Sequence, residues 1–143
     1  MASFTKVNDF VVTLANTMDL DADTLVVALS NPAPASGTDI RSDGNGILAN
    51  CSQISYTNLS SRTLQSVSST QTSGTYKLTA SDLVLTASGG SVAAFRYIVI
   101  FDDSVTSPAD PVIGYYDYGT SLTLNDGDTF TIDIGTNGIL TLT

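Results

Sequence analysis

Seven residues, Phe95-Arg96-Tyr97-Ile98-Val99-Ile100-Phe101, find suitable surroundings only inside a sheet. Successive side chains of a strand point to opposite faces, so Phe95, Tyr97, Val99 and Phe101 take one side and Arg96, Ile98 and Ile100 the other. Both sides are largely apolar and both need cover, which is the pattern of a central strand. The remaining C-terminal residues carry the same alternation of strand and turn signals. A proline-bearing connection leads to Ile113-Gly114-Tyr115-Tyr116-Asp117-Tyr118-Gly119, and Asn125-Asp126-Gly127 is a hairpin signal. Beyond it Phe130, Ile132 and Ile134 alternate with Thr129, Thr131 and Asp133, a half-buried strand, and residues 138–141 form a last one.

Composition agrees. Ser (18) and Thr (20) make up 38 of 143 residues, and all 14 acidic residues are Asp. Thr favours strands, Ser, Asp, Asn and Gly supply turns, and the missing Glu would have favoured helix. Near the start, Val11, Leu14 and Met18 recur at spacings of three and four, with Asn8 placed to cap, predicting a short amphipathic helix over residues 8–18. Residues 25–29 (Leu-Val-Val-Ala-Leu) read as a second central strand. Residues 31–46 hold Pro32, Pro34, Gly37, Gly44 and Gly46 with Ile40 nearly alone among them as an apolar residue, a long loop of the kind that is usually functional or mobile. Short strands are expected at 47–51, 53–57, 63–68, 75–79 and 82–87, with a bulge or bend where Leu64 and Val67 fall out of phase. The expected fold is all-β, mainly an antiparallel β-sandwich or barrel-like, with one short N-terminal helix, in a single domain over residues 1–143.

The residue inventory restricts chemistry. There is no His, so neither a Ser–His–Asp nor a Cys–His arrangement exists within the chain. Cys51 has no basic neighbour to activate it and no partner for an internal disulfide. Asp102 and Asp103 sit at a strand end with diverging side chains, while Asp126 and Asp128 flank a turn glycine. Asp19, Asp21 and Asp23 open like a calcium loop, but Thr24 stands where glycine is required and no Glu can close the coordination. No enzyme activity, cofactor or metal is expected. A net charge of −9 with five basic residues argues against nucleic acid as a partner. No apolar run approaches the roughly 18 residues of a membrane span, so no membrane partner is expected either. The N-terminus lacks the charged-then-apolar order of a signal peptide, which predicts folding in the cytoplasm.

Tyr115, Tyr116 and Tyr118 are the feature that points outward. Tyr116 and Tyr118 share one strand face and Tyr115 and Asp117 the other. One reading is a core face backed by a cross-strand aromatic ladder. The other is an interface, where tyrosine is enriched because it buries area and keeps a polar tip.

Several stretches together resemble a family of small proteins encoded by tailed bacteriophages: Phe95-Arg96-Tyr97, Asp102-Asp103-Ser104, residues 111–119 from Pro111 to Gly119, and Asp126-Gly127-Asp128-Thr129-Phe130-Thr131. Residues 23–29 and 71–78 fit the same family. The resemblance implies a virion protein, and specifically a capsid decoration (cement) protein, made in the host cytoplasm and bound to the outer surface of the assembled head. It implies the major capsid protein as partner, self-association as a dimer or trimer, and no catalytic residue. On this reading the contact elements are the N-terminal segment through Phe10, the loop with Pro32, Pro34 and Ile40, and Tyr115, Tyr116 and Tyr118. A tail or baseplate β-module is the alternative. A carbohydrate-binding module ranks behind both, because the chain has no Trp.

Overall fold

The computed structural model describes residues 2–35 and 37–143. The strand expected at 95–101 is β6 (Phe95–Asp102), and every residue of it except Arg96 is buried. It lies between β7 (Val112–Leu122) and β2 (Leu25–Ser30) in an antiparallel sheet of order β1-β7-β6-β2, with β1 (Phe4–Lys6) at one edge. All six residues of β2 are buried. Its outer edge is closed by irregular chain rather than by a strand: Ile54 N–H donates to Leu29 O at 2.9 Å and Leu64 N–H to Leu25 O at 2.9 Å. The Tyr56 hydroxyl accepts from Leu29 N–H, and the Arg62 guanidinium lies 3.6 Å from the centre of the Tyr56 ring. Cover on the edge and on both faces is what lets β2 be apolar throughout.

Two smaller antiparallel sheets complete the fold. One has the order β3 (Ser68–Thr72), β4 (Thr75–Thr79), β9 (Leu140–Leu142), and the other pairs β5 (Leu83–Thr86) with β8 (Thr129–Ile132). Leu78 and Leu140 from the first and Leu83, Leu85 and Ile132 from the second join β2, β6 and β7 in one buried cluster. The fold is all-β with one short helix, α1 (Phe10–Asn16).

Several local expectations shift. The helix begins at Phe10, with Asp9 rather than Asn8 at the cap position and no side-chain cap bond. It buries Phe10 and Thr13 and leaves Val11 (52%) and Val12 (54%) exposed. Two turns are too short for the expected stripe, and burying the phenyl ring of Phe10 turns Val11 outward. Residues 47–51 form a 3-10 turn (Leu48–Asn50) tied to the chain after β6 by Leu48 N–H to Asp110 O at 2.9 Å. Residues 53–57 form no strand and join the sheet through the bridge of Gln53 to Ser30 and the bonds of Ile54 and Tyr56 to Leu29. The bend near residues 64–67 falls at Ser66, whose φ of +53° breaks the expected 63–68 strand, so β3 starts at Ser68.

The Asn125-Asp126-Gly127 signal marks a turn, closed by Asp128 N–H to Asn125 O at 2.9 Å, but not a hairpin. The strand before it pairs with β1 and β6 and the strand after it with β5. Gly127 N–H donates to Ala87 O at 2.8 Å and Gly89 N–H to the Asp126 carboxylate at 2.9 Å, so the turn locks onto a distant segment and sends the chain from one sheet to another.

Candidate functional site: an aromatic groove beside an open strand edge

Cross-strand register fixes the tyrosines. Tyr97 faces Asp117, Ile98 faces Tyr116 and Val99 faces Tyr115 across β6 and β7. Directly opposed residues share a face. Tyr115 therefore turns with Tyr97, their rings 6.3 Å apart, and is buried. Tyr116 and Tyr118 turn the other way. Tyr116 packs at 5.0 Å on Phe4 of β1, and burial pushes its hydroxyl pKa up. Tyr118 packs edge-on at 5.3 Å against Phe130 of β8 and remains 46% exposed.

A register shift between Phe95 and Tyr97 brings Phe95 onto this side as well, 5.4 Å from Phe130. The result is two aromatic clusters on one side of the sheet, Phe4 with Tyr116 and Tyr118 with Phe130 and Phe95, from three strands of one sheet and one of another. Edge-on and tilted geometries suit the ring quadrupoles. Phe4, Ile98, Tyr116, Tyr118 and Phe130 line one side of a groove of about 640 Å³, with the 132–139 segment along the other.

The groove borders an open sheet edge. β1 covers the outer edge of β7 only at Gly114, Tyr115 and Tyr116. Beyond Tyr116 no strand among the described residues pairs there, and Tyr118, Gly119, Thr120 and Ser121 are exposed. An unpaired edge is a template for another chain. On the opposite face of β7 from Tyr116 and Tyr118, Arg96 clasps Asp117 through two bonds of 2.8 and 2.9 Å, holding the Asp117 carboxyl below its ordinary pKa.

The other expected contact residues divide by burial. Phe10 and Ile40 are completely buried, and Pro34 and Tyr115 are also buried, so as folded they belong to the interior, not to a contact surface. The physical reason is the same for the loop residues and the helix residue. A solitary apolar side chain in a polar stretch gains more from anchoring its segment to the core than from standing in water. Pro32, Tyr118 and in part Tyr116 remain accessible.

The 31–46 loop is tied down as well. The Asp9 carboxylate accepts Gly44 N–H at 2.9 Å and Gly46 N–H at 2.8 Å, and Asn8 donates to Asp43 at 3.0 Å. Removing residues 32–45 therefore takes out the core side chain of Ile40 and one of the two amides held by Asp9, that of Gly44. Such a deletion is expected to damage folding. Phe4, within the N-terminal segment expected to make contacts, and Phe130, which was not singled out, both line the groove. Phe130 is visible as an apolar strand position, but nothing local in the sequence places Phe4 against Tyr116.

The carboxylates are used structurally. Asp19 accepts Asp21 N–H at 3.3 Å, Asp23 accepts Asp19 N–H at 2.7 Å, and Asp21 accepts Ser69 N–H at 2.8 Å. Among the described residues no group of three metal-ligating side chains has the geometry to hold an ion. Burial raises the Cys51 thiol pKa, which favours the unreactive protonated form. No helix is long and apolar enough to cross a membrane among the described residues. Comparisons with protein-family models, with curated proteins and with solved structures find no match to this chain.

Proposed function

We propose that this chain is a non-enzymatic structural protein of a tailed-phage virion that decorates the assembled head, bridging neighbouring copies of the major capsid protein. The sequence resemblance supplies the virion context. The observation that carries the reading is the aromatic groove running beside the unpaired edge of β7. That combination binds extended protein segments: main-chain bonds along the edge give affinity, and side-chain pockets beside it give selectivity. Docking several copies on a regular shell multiplies a modest contact through avidity.

Electron cryomicroscopy of the parent virion tests this. The expected result is density for this fold repeated on the outer face of the head, with the groove and the Tyr118–Ser121 edge against capsid subunits. Density confined to the tail would replace the proposal with the baseplate reading, and absence from the particle would reject both.

A further inference from the structure

We propose that one proton shared between Asp102 and Asp23 latches the 19–23 loop onto the end of β6, and that losing this proton loosens that corner of the fold. Asp102 is completely buried. Its Oδ1 is satisfied, accepting Ser104 N–H at 2.9 Å and Val105 N–H at 3.3 Å. Its Oδ2 is buried with no hydrogen-bond partner among the described residues. A buried polar atom left alone is costly, and each such atom in a native fold calls for a physical reason.

The neighbour that supplies the reason is the Asp23 carboxylate, the one charged group acting on Asp102 from another element. Two carboxylates in contact repel when both are ionised. With a proton on Asp102 Oδ2 the same contact becomes an O–H donated to Asp23, and the orphaned atom gains its bond. The other carboxylates of the loop are engaged elsewhere, Asp19 with Asp21 N–H and Asp21 with Ser69 N–H and hydroxyl. Asp103, the next residue in the chain, is exposed, and no Lys or Arg acts on Asp102 to favour its ionised form.

The latch closes a small circuit. Asp23 also accepts Asp19 N–H at 2.7 Å, which shapes the loop. Thr24 N–H donates to the Ser104 hydroxyl at 2.8 Å and Asp103 N–H to Thr24 O at 2.9 Å, so the residue before β2 and the two after β6 are stitched together beside the acid pair. Burial first and Asp23 second push the Asp102 carboxyl up to about 6. Because the folded-state pKa lies above the unfolded one, the native state holds this proton more tightly. The group's stabilisation is complete below the unfolded value of about 4 and is lost as pH rises through about 6.

Carboxyl-carbon NMR titration of the full chain reads the proton directly. The Asp102 resonance is expected to titrate with a midpoint near 6. In Asp23→Asn the side-chain amide can donate to ionised Asp102, and the midpoint is expected to fall toward the ordinary carboxylate range. Amide exchange at Thr24 and Val105 is expected to accelerate above that midpoint by more than base catalysis alone, and to follow base catalysis alone in Asp102→Asn. An Asp102 midpoint in the ordinary range overturns the proposal. So does wild-type exchange that follows base catalysis alone. A midpoint that drops on adding calcium chloride also overturns it, because the pair then holds a cation instead of a proton. Should Asp102→Asn fail to fold, Asp23→Asn and the wild-type titration still decide.

Discussion

Tyr118 leans its ring edge-on against Phe130 while close to half of its surface stays in water. Stability and binding therefore separate at this residue. Tyr118→Ala removes little buried area, and its unfolding free energy is expected to stay within about 1 kcal/mol of wild type in a denaturant titration. If the groove docks on the head, the same variant loses about 2 kcal/mol of binding, a roughly 30-fold weaker affinity in co-sedimentation with purified heads. Phe95 packs on the same Phe130 ring and is completely buried. Its truncation to Ala is expected to cost about 3–5 kcal/mol of stability, because it leaves a cavity at the junction of two sheets. Equal losses of binding and stability at Tyr118 would contradict its placement on the surface of the groove.

At the scale of elements, β1 and the 31–46 loop depend on single residues. A Cβ at Gly114 would lie 2.4 Å from Thr5 O and 2.5 Å from the Phe4 ring, so β1 can approach β7 only because residue 114 is glycine. Gly114→Ala is expected to release β1 and, with it, the Phe4 wall of the groove. Amide exchange should then rise selectively at residues 4–7 while β6 stays protected. Asp9 joins the helix start to the loop, and Asp9→Ala leaves the Gly44 and Gly46 amides without their acceptor. About 1–3 kcal/mol of stability should be lost, with the earliest exchange in residues 40–46.

These same elements mark how far the sequence could be read. β2, β6 and the Phe130–Ile132–Ile134 alternation were legible because burial writes itself into neighbouring residues. The two faces of Tyr115, Tyr116 and Tyr118 were legible for the same reason. The partner of β8, the pairing of Phe4 with Tyr116 and the interior placement of Ile40 were not. Each is decided by contact with a segment remote in sequence, and a turn such as 125–128 looks alike whether it closes a hairpin or crosses between sheets.

For the whole molecule, charge is the dominant long-range term. Fourteen carboxylates face five basic residues, and two of those five, Arg41 and Arg96, are already engaged with Asp39 and Asp117. Self-repulsion of this size opposes the compact state and is screened by salt. Raising sodium chloride from about 0.05 M to about 0.5 M is expected to increase the thermal midpoint at pH 7 by several degrees, since the Debye length shrinks across that range. A midpoint that falls instead would mean the few ion pairs outweigh the general repulsion.

The sheet order β1-β7-β6-β2 also bears on how the chain is made. Both edge strands are translated before the two strands that join them, and β3, β4 and β5 are made in between. Synthesis at about 5–20 residues per second leaves β2, apolar along its whole length, without its partner for several seconds. The central sheet is thus assembled only after β6 has been made, and the yield of soluble protein depends on how Leu25–Ser30 is shielded in the meantime.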